Sequence, residues 1–226
     1  MMHVSSYQAV LEKLADRIGL NTGSMSEKVL SHAIHKSLLL WGGAASDYVE
    51  ALDRSPSLWQ GLIREVAVAQ TWFMRHSKSF DYLRTFVQGR PARMLSCGCA
   101  TGEEAYSMAM VAISVGLLPG QFTVVGVDIH SEHIAHAARG IYQECSFREP
   151  TYVPESRFFS YREGCWSVSD ALRSSVIFKQ GNVCSARFWS QQPRFDVIFC
   201  RNLLIYLHED ARAQLFRNLG AHLEPN

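Results

Sequence analysis

The stretch Met94-Leu95-Ser96-Cys97-Gly98-Cys99-Ala100-Thr101-Gly102-Glu103-Glu104 constrains the fold more than any other part of this chain. A short apolar run ends in a loop bounded by Gly98 and Gly102, and a helical pattern from Glu103 to Val115 follows at once. Glycine reaches backbone conformations closed to other residues, so a strand can turn sharply into a helix there. Pro119-Gly120 marks the next turn, and Phe122-Thr123-Val124-Val125-Gly126-Val127-Asp128 is a second apolar run rich in β-branched residues. Strand, helix, strand, with both strands apolar on both faces, calls for a parallel sheet covered by helices on each side. Ser131–Arg139 reads as the following helix, Val176–Lys179 and Phe195–Cys200 as later strands, and a last helix runs from about Glu209 to Leu223.

The first ninety residues have a different period. Tyr7, Val10, Leu11, Leu14 and Ile18 repeat at helical spacing. Asn21-Thr22-Gly23 is a turn, Ser26 is placed to cap a second helix, and Val29, Leu30, Ala33, Ile34 and Leu38 form its apolar face. A third short helix is expected near Ser46–Leu52. A fourth runs from Pro56 to Val66, with Pro at its first turn. Between Arg157 and Val168 the texture changes again, to Phe158-Phe159, Tyr161, Gly164, Trp166 and Val168, which predicts a small inserted hairpin. At roughly 150 residues per domain, 226 residues suit one domain with an appendage. The division expected is an N-terminal helical domain and linker over 1–88 and an α/β domain over 89–226, with the insertion at about 157–168.

Composition narrows the function. A net charge of +1 excludes a nucleic-acid reading based on bulk electrostatics. No apolar run approaches a membrane span, and the first residues lack the basic start and apolar core of a signal peptide. The six cysteines (Cys97, Cys99, Cys145, Cys165, Cys184, Cys200) make no CxxC pair, and no zinc-finger spacing surrounds Cys97-x-Cys99. No metal is expected, and reduced thiols fit a cytoplasmic setting.

In open α/β sheets ligands lie beyond the carboxyl ends of the strands. Three features fall there: the Gly98–Gly102 loop, Asp128, and Cys200-Arg201-Asn202-Leu203. Each has a plainer reading, as a turn, as the cap region of the next helix, and as a strand end; their joint placement points to a ligand. GxGxxG is absent, and Glu103-Glu104 at the helix entry would repel a pyrophosphate, which needs bare amides. Those carboxylates suit a ligand of positive charge, such as an adenosyl sulfonium with an amino-acid tail, better than NAD. Asp128 is suited to accept ribose hydroxyls.

Four motifs, in order, carry a family resemblance: Thr71-Trp72-Phe73-Met74-Arg75 followed by Phe80; Leu95 to Ser107; Gly126-Val127-Asp128-Ile129; and Phe195-Asp196-Val197-Ile198-Phe199-Cys200-Arg201-Asn202-Leu203-Leu204-Ile205-Tyr206. The chain resembles the CheR-type chemotaxis protein-glutamate O-methyltransferases from about Tyr7 to Asn226, with the surface-sensing and biofilm branch of that family as one candidate. The resemblance implies an N-terminal all-α domain and a doubly wound, Rossmann-like methyltransferase sheet with an inserted three-stranded antiparallel β-subdomain. It implies S-adenosylmethionine as cofactor and S-adenosylhomocysteine as product. The expected partners are the cytoplasmic helices of methyl-accepting chemoreceptors, modified on glutamate side chains.

By position, the resemblance gives Thr71 and Arg75 a reach to the cofactor. Arg75 would hold the methionine carboxylate or steady the substrate acid; a helix cap and a surface ion pair are the plainer roles for the two. Glu103 would face the cofactor's amino end, with Glu104 as the alternative. Gly98 would allow close approach, Asp128 would hold the ribose, and Asn182-Val183 would flank the adenine. Asn202-Leu203 would line the methyl-transfer end, and Tyr206 would border the substrate. Lys28, His32, His35 and Lys36 share one helical face that suits an acidic receptor helix, and equally suits solvent.

The sequence departs from the family's pattern in places. Ala69 stands where a polar residue is frequent, a loss of one hydrogen bond of about 0.5–1.5 kcal/mol. Met74 replaces an aromatic, Cys99 a Ser or Thr, and Ala105 a Pro. The sequence stops at Leu223-Glu224-Pro225-Asn226, where the family continues into final antiparallel strands; a longer parent and an unpaired sheet edge are expected. A non-catalytic module that binds receptor or cofactor is the alternative function.

Overall fold

The structure is a computed structural model that describes residues 4–67, 70–150 and 152–225. Its contacts divide the chain into two compact units. One comprises Met1–Val68, Cys184–Ala186 and Asn202–Asn218; the other comprises Ala69–Val183, Arg187–Arg201 and Leu219–Asn226. Among the described residues no helix is long and apolar enough to cross a membrane.

The first unit contains α1 (Val4–Ile18), α2 (Glu27–Trp41), α3 (Tyr48–Arg54) and α4 (Pro56–Val66). Ser26 caps α2 by accepting the amide of Val29, and Gly42 ends it in the left-handed conformation. Ser55 caps α4 through the amide of Leu58. The apolar faces read from the sequence meet in one core around Val10, Leu14, Leu30, Ile34, Leu52 and Leu62. α3 starts at Tyr48, two residues later than its pattern suggests, and the Ser46 hydroxyl donates to the Asp47 carboxylate ahead of it.

The second unit opens with α5 (Ser77–Val87), which buries Phe80, Leu83 and Val87. β1 (Ala92–Cys97), α6 (Glu103–Ser114), β2 (Phe122–Asp128) and α7 (Ser131–Arg139) follow. Then come β3 (Ile141–Tyr142), a 3-10 turn at Glu144–Phe147, the hairpin β4 (Phe159–Arg162) and β5 (Cys165–Val168), and α8 (Asp170–Ser174). β6 (Val176–Gln180), α9 (Ala186–Trp189) and β7 (Val197–Cys200) follow, and the last helix, α10 (Glu209–His222), lies for most of its length in the first unit. The main sheet is parallel with strand order β6-β2-β1-β7. The order reverses between β1 and β7, which is the switch point where such sheets take ligands. β1 and β2 are buried almost throughout, as strands covered on both faces must be.

The inserted hairpin is present, and with β3 it makes the three-stranded antiparallel sheet that the resemblance implies, in order β3-β5-β4. β3 has two residues, too few for any alternation to show in the sequence. β7 begins at Val197, later than the apolar run, for a local reason. Phe195 bridges Leu223 in parallel, and Asp196 turns its carboxylate to the amide of Arg93 at 2.7 Å. α6 is apolar nearly all round and buries Ala105 through Ala112, as a helix packed on more than one side does.

Candidate cofactor site at the strand tips

Register brings the ends of the strands together. Cys97 pairs with Val127 of β2 and with Cys200 of β7, and Asp128 pairs with Gln180 of β6. The residues that follow each strand therefore open on one edge of the sheet.

The loop after β1 is shaped by its backbone. Gly98 (φ 72°), Ala100 (φ 46°) and Gly102 (φ 98°) all occupy positive φ. The amides of Gly98 and Cys99 both donate to the carbonyl of Val127, at 2.8 and 2.9 Å. A Cβ on Gly102 would lie 2.6 Å from the Cβ of Ala137 and 3.0 Å from the Phe178 ring, so this position needs glycine on two counts. Asp128, 9% exposed, holds the loop from the other side. Its Oδ2 accepts the amide of Ala100 at 2.9 Å, and its Oδ1 accepts the amide of His130 at 2.9 Å. The cap of α7 is His130, whose ring accepts the amide of Glu132. Asp128 thus braces the turn ahead of the helix, and each of its oxygens keeps a further lone pair for a hydroxyl donor. His133 stands 3.5 Å from Oδ1 and stacks on His130 with ring centres 4.0 Å apart.

The two glutamates at the start of α6 have different partners. Glu103 is 2% exposed. Its Oε2 accepts the Thr101 hydroxyl at 2.7 Å and its Oε1 the Ser146 hydroxyl at 2.9 Å. Burial pushes its carboxyl above the ordinary range, and the two hydroxyls pull the other way. Glu104 accepts from Ser96 at 2.7 Å and forms a two-nitrogen pair with Arg201, at 2.9 Å from Nε and 2.8 Å from Nη2. Arg201 also donates to the carbonyl of Arg75 at 3.0 Å and lies over the rings of Phe80 and Phe199. Glu104 is paired with a fixed cation, whereas the Glu103 carboxyl is met by hydroxyls. Both acids sit in the first turn, where the helix dipole favours them. On the β1–β7 rung, Cys97 donates to Cys200; that bond, with burial, pushes the Cys97 thiol up, and the same bond lowers that of Cys200 against the effect of burial.

The segment before α5 is pinned by its aromatic residue. Phe73 is fully buried against Tyr142, Phe147 and Phe159, with ring centres 4.8–4.9 Å away. Its amide donates to the carbonyl of Ser146 at 2.8 Å, and the amide of Met74 donates to the Ser107 hydroxyl at 3.0 Å. Thr71 is half-buried two residues before this anchor. The Arg75 guanidinium lies 4.3 Å from the Trp72 ring centre and donates to the carbonyl of Gln70. Ala69 lies outside the described residues.

After β6, Gly181 donates its amide to the carbonyl of Asp128 at 2.9 Å, which sets Asn182 and Val183 next to the β2 tip. The Val183 carbonyl accepts the Trp189 indole at 2.7 Å. Thr71, Arg75, Gly98, Glu103, Asp128, Asn182 and Val183 all belong to the second unit. The remaining sequence candidates belong to the first unit. Asn202 takes a left-handed conformation (φ 59°) directly after Arg201, and Leu203 leads into a 3-10 turn. Tyr206 packs on the helical core and accepts the amide of Asn21 at 2.7 Å. Lys28, His32 and His35 are exposed along one face of α2, and Lys36 pairs with Glu65 at 2.7 Å. Sequence reasoning passed over Thr101, Ser146 and Arg201 as individual site residues. Thr101 and Arg201 lay inside quoted motifs, but nothing in the spacing of Ser146 signals its bond to Glu103.

Residues 69–226 match the family model for the CheR methyltransferase, SAM binding domain. The chain belongs to the CheR methyltransferase family. The probable biofilm formation methyltransferase WspC of Pseudomonas putida is 33% identical over 94% of this chain and 52% of its own length. The protein of the same name from Pseudomonas aeruginosa is 32% identical over 94% of this chain and 53% of its own. Chemotaxis protein methyltransferase 2 of Pseudomonas aeruginosa is 29% identical over 97% of this chain and 82% of its own. The chain thus spans about half the length of the first two relatives.

The cofactor of a CheR domain is S-adenosylmethionine, and the donor set here fits it. A hydroxyl-bonded carboxylate at the head of α6 suits an ammonium, a carboxylate at the β2 tip suits a ribose, and the loop between them offers no lysine or arginine to a phosphate.

Proposed function

We propose that this chain carries the catalytic part of an S-adenosylmethionine-dependent methyltransferase. It would form methyl esters on glutamate side chains of acidic cytoplasmic helices in chemoreceptor-like proteins, and so tune their signalling. The observation that carries the reading is the pair of carboxylates, Glu103 and Asp128, on either side of the positive-φ loop at the strand tips. The methyltransferase domain, 89–226, holds the donor in this reading with help from Thr71 and Arg75 of the linker, and the N-terminal helices, within 1–88, meet the protein substrate in the cytoplasm. The names of the relatives, methyltransferases of chemotaxis and biofilm formation, support the same class of substrate.

When bound, the cofactor supplies a methyl group on a sulfonium, activated for displacement. Glu103 would take the amino end of the donor. Asp128 would take the ribose hydroxyls while continuing to brace Ala100 and His130. Asn182 and Val183 would flank the base, and Thr71 and Arg75 would close over the amino-acid end. A glutamate substrate has a pKa of about 4.3 and is ionised near neutrality, so no general base is required. Alignment of the two reactants can then supply most of the acceleration. An exposed stripe of Lys28 and His32, with Lys36 shared with Glu65, would meet the acidic helix.

The test is transfer of tritiated methyl from S-adenosylmethionine to acidic receptor helices, followed by release of volatile methanol in base. Base-labile label on glutamate is expected. Binding of cofactor without any transfer would favour the non-catalytic module.

A further inference from the structure

Glu103 is a carboxylate nearly closed off from water, and hydroxyl donors are what keep its charge tolerable there. Thr101 comes from the same loop. Ser146 does not: it lies 43 residues away in sequence, in the turn Glu144–Phe147, and is itself only 8% exposed. Its hydroxyl donates to Glu103 Oε1 at 2.9 Å, while its main-chain carbonyl accepts the amide of Phe73 at 2.8 Å. The Ser146 amide closes the turn on the carbonyl of Gln143 at 3.0 Å. The neighbouring Phe147 ring stacks on Phe73 at 4.8 Å and 19°, which fixes the carbonyl that Phe73 uses. One residue therefore touches both the acid at the head of α6 and the segment that carries Thr71 and Arg75.

We propose that Ser146 is a positioning residue of the donor site: its hydroxyl holds the Glu103 carboxyl in place, and its carbonyl ties the Thr71–Arg75 segment to the same point. The inference rests on the reading of Glu103 as the partner of the donor's ammonium. Other groups facing Glu103 are His133 of α7, Tyr142 of β3, and Cys99 of the loop. Burial drives the Tyr142 phenol and the Cys99 thiol well up, so both stay neutral through the physiological range. His133 favours the ionised carboxylate when charged, and it does so with or without Ser146. A difference between wild type and a Ser146 variant therefore isolates the hydroxyl.

Loss of the Ser146 donor leaves the burial of Glu103 less opposed, so its carboxyl would protonate at higher pH. An ammonium needs the ionised form. The loss of affinity must then be greatest in acid and fade as pH rises.

The experiment is calorimetric titration of the full chain with S-adenosylhomocysteine between about pH 5.5 and 8.5, for wild type, Ser146→Ala, Ser146→Thr and Ser146→Cys. Ser146→Ala should bind about tenfold more weakly at the acid end and within about twofold at the basic end. Ser146→Thr keeps the donor and should stay within about threefold throughout. Ser146→Cys, a weaker donor of similar size, should move in the same direction as alanine by less, and it serves if the alanine variant does not fold. Curves that fall equally at every pH, or coincide with wild type, overturn the Ser146 role alone. Failure of wild type to bind at any pH overturns the Glu103 reading and this inference with it.

Discussion

The residues of the site divide by what occupies their charge. Glu104 is bound on both oxygens by Ser96 and Arg201, a fixed arrangement that joins β1, α6 and the end of β7. Asp128 spends one bond per oxygen on backbone amides and has capacity left over. Asp128→Ala should therefore weaken S-adenosylhomocysteine binding by about 1–3 kcal/mol in calorimetry, with loosening of the Ala100 turn included in that figure. Unchanged affinity would remove the ribose role. Glu103 gives a prediction with a sign. Burial raises its carboxyl in the folded state, so the fold favours the protonated form. That preference contributes stability below the unfolded-state pKa and is lost as pH rises through the raised folded value. Glu103→Gln has no such titration. In urea unfolding it should equal or exceed wild type at pH near 7, and fall back relative to wild type as pH drops through the raised value, while its ligand affinity is reduced at every pH. A variant less stable than wild type only at neutral pH would contradict the sign.

Among elements, the loop and the linker hold the site, and both are open to test. Gly102→Ala would place a methyl 2.6 Å from the Cβ of Ala137 in a backbone conformation with φ near 98°, so α7 must shift or the loop must relax. A loss of about 1–3 kcal/mol is expected in urea unfolding, with weakened ligand binding. Phe73→Ala would empty a pocket bounded by Tyr142, Phe147 and Phe159, and about 3–5 kcal/mol of stability should go with it. A loss below about 1 kcal/mol would mean that the linker is anchored elsewhere. Much of this level was legible in the chain. The ends of β2 and α7 were readable because Asp128, the Ser131 start and Gly140 punctuate them. The Ser26 cap and the Pro56 start were readable for the same reason. β3 was not, since two residues carry no period. Nor was the bond from Ser146 to Glu103, because a lone serine in a turn looks the same whether it meets solvent or a buried carboxylate.

For the molecule as a whole, the decisive contrast is between a cradle for phosphate and a site built of acids. The net charge of +1 leaves no general attraction for anions, and the tips of β1 and β2 present Glu103, Glu104 and Asp128. The order β6-β2-β1-β7 fixes where those tips meet, and the inserted antiparallel sheet supplies the Ser146 turn and the aromatic anchor for the linker. The strand tips were foreseeable from the apolar runs and the glycine loop; the burial of Glu103, with its consequence for charge, required the fold. The most direct measurement is calorimetric titration of the intact chain with S-adenosylhomocysteine and, separately, with NAD. Saturable one-to-one binding of the first, abolished or strongly weakened by Asp128→Ala, with no heat from the second, is the predicted result. Heat from NAD and none from S-adenosylhomocysteine would contradict the account.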